Sequence, residues 1–341
     1  MLCCTRPATA ATASTPALHP AKTIVKSTGA TETIAVDVGA ATTPRACCCG
    51  IAPRPQDQIW LVSCRGLSCD ASQLEELKYW YYAEGLGWTP SDADAFHAAA
   101  DPSLRTAIWV HGNRIESGQA FGIGIDVYRA LIRQAPSEQP LRFVAWSWPS
   151  ERVEGGPIQD ARVKAARTTP AGHRLARFIV QMDAAAPVSV IGYSFGCRII
   201  TGALHLMGGG VSDGDPLAAP SVHRAQGVRA VLIAPAIESH WLLPGRTHGL
   251  AMTQVESMFI IVNSCDKVLK HYHLLYCNAR RRNGPQALGT TGLVGGSQLG
   301  EDRRKIEQTD ACCLVGPEHY WRNYFQTRSL VARMVRYVFD E

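Results

Sequence analysis

The chain has 341 residues, 46% hydrophobic and 18% charged, with a formal net charge of +5. That composition can bury a large core, and no stretch approaches the ~18 uninterrupted apolar residues of a membrane-spanning helix, so an integral membrane segment is not expected. The positive charge is thin: the one dense basic run, Arg280-Arg281-Arg282, lies beside a glycine-rich stretch without interleaved aromatics, and a nucleic-acid partner is not expected.

Residues 1 to 55 are rich in Ala, Thr and Pro and poor in large apolar side chains, and they are expected to form a low-complexity, disordered arm. The arm contains Cys3, Cys4 and Cys47-Cys48-Cys49, whose adjacency lacks the C-x-x-C spacing of a zinc site. Free thiols and no metal are expected there. Arg6 is followed by no leucine-rich apolar core, so no secretory signal is read and a cytoplasmic location is expected.

From residue 56 to 341 the chain reads as one domain of alternating strands and helices, which implies an α/β fold with a mostly parallel sheet flanked by helices on both faces. Gln58 to Cys64 is the first strand, and the aromatic group Trp80-Tyr81-Tyr82 is expected to pack at the sheet edge. A short buried strand, Ala107 to Val110, ends in His111-Gly112-Asn113-Arg114. A helix from about 117 to 134 and a strand from Leu141 to Trp146 follow. Two helices are expected between 158 and 185, the second opened by Thr169 and Pro170.

The apolar run Val188-Ser189-Val190-Ile191 then leads into Gly192-Tyr193-Ser194-Phe195-Gly196, with a helix-like segment directly behind it. G-x-S-x-G arises by chance roughly 0.1 times in a chain of this length, and the strand-turn-helix context makes it more specific. In a turn this tight the serine takes strained backbone angles, and glycines two residues either side let strand and helix pass closely. Further strands are expected at Val228 to Ala234, at Val255 to Asn263 and at Ala311 to Val315, with a last amphipathic helix at about 326 to 338.

A serine at its free pKa is a poor nucleophile and needs a base, which in turn needs an acid to hold it. Asp266 lies three residues past one strand and His319 follows the last one, giving the chain order Ser, Asp, His. Loops beyond the carboxyl ends of parallel strands gather at one edge of a sheet, which favours Asp266 over Asp213 and Asp215. Glu238 competes for the acid and His271 for the base. The backbone N–H of Phe195 and a donor from Asn113, in the loop after strand 107 to 110, are the candidates for an oxyanion hole.

Val-His-Gly-Asn at 110 to 113, Trp-Ser-Trp-Pro at 146 to 149, Gly-Tyr-Ser-Phe-Gly at 192 to 196, Asn-Ser-Cys-Asp at 263 to 266 and His319 together resemble the α/β-hydrolase superfamily, in particular its bacterial branch of uncharacterised esterase-like proteins. The resemblance covers residues 58 to 341. It implies a serine hydrolase fold and a triad of Ser194, Asp266 and His319, but no particular substrate.

Trp146, Trp148, Phe195, Trp241, Leu242 and Leu243 are the apolar residues expected near such a site, with Trp148, Trp241 and Leu242 as pocket candidates. A small cap is expected around 236 to 256. Arg114 is read as a surface or salt-bridged residue, with an acidic substrate group as the alternative. The leading expectation is a carboxylic ester hydrolase acting on a small-molecule ester or acyl substrate through an acyl-serine intermediate, without a cofactor. Amide, peptide or thioester hydrolysis by the same triad is the alternative among enzymes, and a non-catalytic binding protein the alternative outside them.

Overall fold

Runs of β-branched and aromatic residues bounded by Gly, Pro and Asp form the strands of one sheet in the computed structural model, which describes residues 51–68, 76–136, 138–217, 227–276 and 284–339. The elements are, in order, β1 (Gln58–Ser63), β2 (Lys78–Ala83), β3 (Gly87–Ser91), α1 (Ala93–Ala98), β4 (Arg105–Val110), α2 (Ser117–Ile132), β5 (Leu141–Ser147), α3 (Pro157–Val180), β6 (Val188–Tyr193) and α4 (Phe195–Met207). A two-residue pair, β7 (Val211–Ser212) and β8 (Asp215–Pro216), precedes β9 (Val228–Ile233), β10 (Val255–Val262), α5 (Leu288–Thr291), β11 (Ile306–Asp310), α6 (Cys312–Val315), α7 (Trp321–Gln326) and α8 (Arg328–Val335).

The nine-stranded sheet runs β11-β10-β9-β6-β4-β5-β1-β2-β3. From β11 to β1 every neighbour is parallel, and β2 and β3 close the far edge as an antiparallel hairpin. Every residue of β4, β5 and β6 is buried, as a sheet covered on both faces requires. α3 packs on α4, and α2 packs with α7 and α8. The expected α/β architecture, a mostly parallel sheet flanked by helices, is the one observed. Its parallel strands bring the loops after β4, β5, β6, β9, β10 and β11 to a single edge.

Several expectations are corrected. α3 is one helix of 24 residues with Pro170 inside it, not two helices divided at Thr169. Proline removes the hydrogen bond to the Ala166 carbonyl, but Ala171, Leu175, Phe178 and Ile179 beyond it are buried and hold the helix in register. The last strand is Ile306–Asp310, and Cys312–Val315, expected as that strand, is a short helix with Leu314 exposed.

The segment expected as a cap packs along α4 instead: Nδ1 of His248 lies 2.8 Å from the Thr201 hydroxyl, and the Leu250 N–H donates to Nδ1 of His205 at 3.2 Å. It buttresses the elbow helix. The N-terminal arm, except for residues 51 to 55, and the Arg280-Arg281-Arg282 run lie outside the described residues. Among the described residues no helix is long and apolar enough to cross a membrane.

Candidate active site

β6 delivers Ser194 into a turn with φ 55° and ψ −118°, a left-handed region that non-glycine residues rarely occupy. The strain is held by three backbone bonds. The Ser194 N–H donates to the Ile233 carbonyl at 2.9 Å, and its own carbonyl accepts from Cys197 at 3.1 Å and Ala236 at 3.2 Å. Glycine is required on both sides for distinct reasons. A Cβ at residue 192 would meet the Cys197 backbone at 2.8 Å, while one at residue 196 would overlap the Val110 carbonyl oxygen and sit 2.9 Å from that of His111.

The loops after β10 and β11 bring Asp266 and His319 to the same turn. Nε2 of His319 lies 2.9 Å from the Ser194 hydroxyl, and Nδ1 lies 2.6 Å from Oδ2 of Asp266. Asp266 is fully buried, and its Oδ1 accepts the Val268 and Leu269 N–H groups at 2.9 Å each. An ionised carboxylate only accepts, so Nδ1 carries the imidazole proton and Nε2 is left as the acceptor for the serine hydroxyl. The Tyr193 ring stacks on His319 with centroids 5.0 Å apart.

The two loops are also stitched to each other. The Asn263 side-chain amide donates to the Gly316 carbonyl at 2.9 Å and the Tyr324 hydroxyl at 3.2 Å, and the Lys267 N–H donates to the Pro317 carbonyl at 3.0 Å. The competing residues are engaged elsewhere. Glu238 pairs with His240 at 3.4 Å, and Nδ1 of His271 donates to the Lys267 carbonyl at 2.8 Å.

The loop after β4 lies against the elbow so closely that a Cβ on Gly112 would stand 3.3 Å from that of Ser194. The Asn113 side chain is turned to other work, with Oδ1 accepting the Arg114 N–H at 2.9 Å and Nδ2 placed 3.5 Å from Asp160. The backbone N–H groups of Asn113 and Phe195 have no partner among the described residues. The candidate donor at residue 113 is therefore its backbone.

His111 sets the direction of that N–H. Its Nε2 accepts the Trp148 N–H at 3.3 Å, so Nδ1 is the protonated nitrogen and donates to the Gly112 carbonyl at 2.9 Å. In a planar trans peptide the Asn113 N–H points opposite to that carbonyl, away from the His111 ring. Burial, and then the Arg65 guanidinium beside it, push His111 down to about 3, which keeps the imidazole neutral and this tautomer fixed. Arg65 pins the far end of the loop, donating to the Ile115 carbonyl at 2.8 Å, the Ser147 hydroxyl at 2.7 Å and Glu151 at 2.5 Å.

Asp160 on α3 anchors the other side, accepting from Lys164 at 2.8 Å, Arg114 at 3.0 Å and the Val153 N–H at 3.0 Å. Burial opposes its ionisation, but these donors outweigh that and hold the carboxyl well below the usual carboxylate range. The HG dipeptide does not reveal the parts played by Arg65 and Asp160. A charged pair four residues apart at 160 and 164, on one face of a helix, is the sequence signal for the second.

A cavity of about 590 Å³ opens over Ser194 and His319. Its apolar walls come from Ile115, Ile123 and Trp321 and from Ile158, Leu274 and Leu275, with Arg114 and Lys267 also lining it. Both cations are paired, Arg114 with Asp160 and Lys267 with Glu318 at 2.8 Å.

Trp148, Trp241 and Leu242 do not line this cavity, and of the six apolar candidates only Phe195 does. Trp148 is fully buried beneath the loop after β4 and donates from its indole to the His111 carbonyl at 2.8 Å. Trp241 rests edge-on to His248, and Leu242 is core. In place of a cap from 236 to 256, which contributes only Ala236, residues 267–275 supply a wall.

No protein-family model matches the chain, and no curated protein matches it. Solved structures similar to it include esterase B from Lactobacillus rhamnosis, 13% identical with a TM-score of 0.39 over 84% of this chain and 86% of that one. Acyl-protein thioesterase 2 from Zea mays is 12% identical, with a TM-score of 0.32 over 68% of this chain and 94% of its own. A bifunctional GH43-CE protein from Bacteroides eggerthii is 11% identical, with a TM-score of 0.39 over 79% of this chain and 34% of its own, so this chain spans about a third of its length. Likenesses this remote carry no activity or substrate over to this chain.

Proposed function

We propose that this chain is a serine hydrolase that cleaves carboxylic esters through an acyl-serine intermediate. The observation that carries this reading is the continuous hydrogen-bonded chain from Ser194 through His319 to buried Asp266, open to an apolar cavity. His319 takes the hydroxyl proton as Ser194 Oγ attacks the ester carbonyl carbon, and Asp266 holds the imidazolium that forms. The developing oxyanion meets the free N–H groups of Phe195 and Asn113, each such donor being worth about 3 kcal/mol of barrier. His319 then protonates the departing alcohol oxygen. Water follows the reverse course: His319 takes its proton, its oxygen attacks the acyl carbon, and Ser194 leaves with the proton returned.

The apolar walls favour an apolar acyl group. Each buried methylene contributes about 0.8 kcal/mol, or up to roughly a fourfold gain in kcat/KM per carbon. With p-nitrophenyl esters of increasing acyl length, kcat/KM is expected to climb from acetyl and then level or fall once the cavity is filled. A profile flat with chain length contradicts the acyl pocket, and no turnover of any of these esters contradicts the ester reading.

A further inference from the structure

Cys265 directly precedes Asp266, and Cys312 opens α6 on the path from β11 to His319, yet neither thiol has a part in the proposed reaction. The parallel ladder sets Val262 beside Asp310, and the chains stay joined beyond it: the Ser264 and Cys312 N–H groups both donate to the Asp310 carboxylate, at 3.1 and 2.9 Å. The Cys265 Sγ lies 3.8 Å from the Cys312 carbonyl oxygen. Both residues are partly exposed, whereas Cys64 and Cys197 are buried.

We propose that Cys265 and Cys312 are an oxidisable pair, a modification site at which a disulfide joins the loops that carry Asp266 and His319. The neighbouring Cys312 side chain, and then desolvation, push the Cys265 thiol up to about 11, so it is protonated at neutral pH. The oxidant is a hydroperoxide. One sulfur, as thiolate, attacks a peroxide oxygen and breaks the O–O bond, giving a sulfenic acid. The second sulfur displaces that hydroxyl. For hydrogen peroxide the sum is two thiols and one peroxide to one disulfide and two waters, the sulfurs losing the two electrons that the peroxide gains.

The disulfide also removes a support. The Cys265 S–H donates to Oδ1 of Asn263 at 3.1 Å, and Asn263 is the residue that ties the acid loop to Gly316 and Tyr324. Closing the disulfide takes that donor away, and ester turnover is expected to fall until a thiol reductant restores it. This consequence rests on the hydrolase reading, but the cross-link does not.

The test treats the full chain with hydrogen peroxide, alkylates the remaining thiols, and maps unreduced peptides by mass spectrometry. The expected product joins the Cys265 and Cys312 peptides at two hydrogens below their summed mass. It disappears with dithiothreitol and in Cys265→Ser, and it persists in Cys313→Ser. A Cys312–Cys313 link, or over-oxidised thiols without the 265–312 link, overturns the site. In parallel, wild-type ester turnover should fall reversibly with peroxide while that of Cys265→Ser, whose hydroxyl keeps the donor to Asn263, does not. A mapped disulfide with turnover unchanged overturns the control of activity, and the peptide map stands even if the chain turns over no ester.

Discussion

In the Ser194→Ala protein, turnover of the best p-nitrophenyl ester is expected to fall by about 10⁴- to 10⁶-fold, with the urea unfolding midpoint nearly unchanged. Alanine keeps the Cβ, so the backbone at φ 55° is under the same strain and its three backbone hydrogen bonds are kept. What is lost is the hydroxyl oxygen that lies 2.9 Å from His319 Nε2. In the proposed mechanism serine, histidine and aspartate act as a unit, so Ser194→Ala with His319→Ala should cost little more than either alone. A Ser194→Ala enzyme within tenfold of wild type contradicts the assignment, and a large loss of stability would mean that the activity change reports folding.

The second large effect is expected at Gly196, which has no chemistry of its own. A methyl group there would overlap the Val110 carbonyl oxygen, a backbone atom of the central strand β4 that cannot swing aside as a side chain would. Either α4 or the end of β4 must shift. Overpacking of this kind costs about 1–3 kcal/mol or more, and Gly196→Ala should lower the urea midpoint accordingly. The shift also separates the Phe195 N–H, at the start of α4, from the Asn113 N–H, in the loop that follows β4. Activity should therefore drop by at least about 10²-fold even in the folded fraction, the scale of one lost oxyanion donor. Gly196→Ala with wild-type stability and turnover would show that the close approach of β4 and α4 is not needed. Gly118, whose added Cβ meets nothing within 4 Å, provides the control substitution.

Much of the fold is legible in the sequence because the inner strands are largely buried on both faces and read as mainly apolar runs, as at Val188–Tyr193 and at residues 258–262. β11 is not legible for the opposite reason. Ile306–Asp310 lies at the edge of the sheet, where solvent allows the polar sequence IEQTD, while the more apolar Cys312-Cys313-Leu314-Val315 beyond it forms a helical turn. Pro170 reads as a boundary by local rules, and the buried face of α3 beyond it overrides them.

Within the candidate site, Ser194, Asp266 and His319 are legible because parallel topology sends the residues after strand ends to one place. The cavity walls are not. Leu274 and Leu275 lie in a short 3₁₀ helix after Asp266, Leu269–Leu275, and Ile123 and Ile158 sit on helices whose facing toward the cavity depends on how they cross the sheet. Trp148, Trp241 and Leu242 are buried in the core and do not line the cavity.

The central claim is that Ser194 is a nucleophile activated by His319 and Asp266, and stoichiometric labelling with a fluorophosphonate, mapped by peptide mass, tests it most directly. The expected result is a single adduct on Ser194, absent in Ser194→Ala and formed orders of magnitude more slowly in His319→Ala. An unlabelled wild type, or equal labelling of Ser194→Ala, would contradict it.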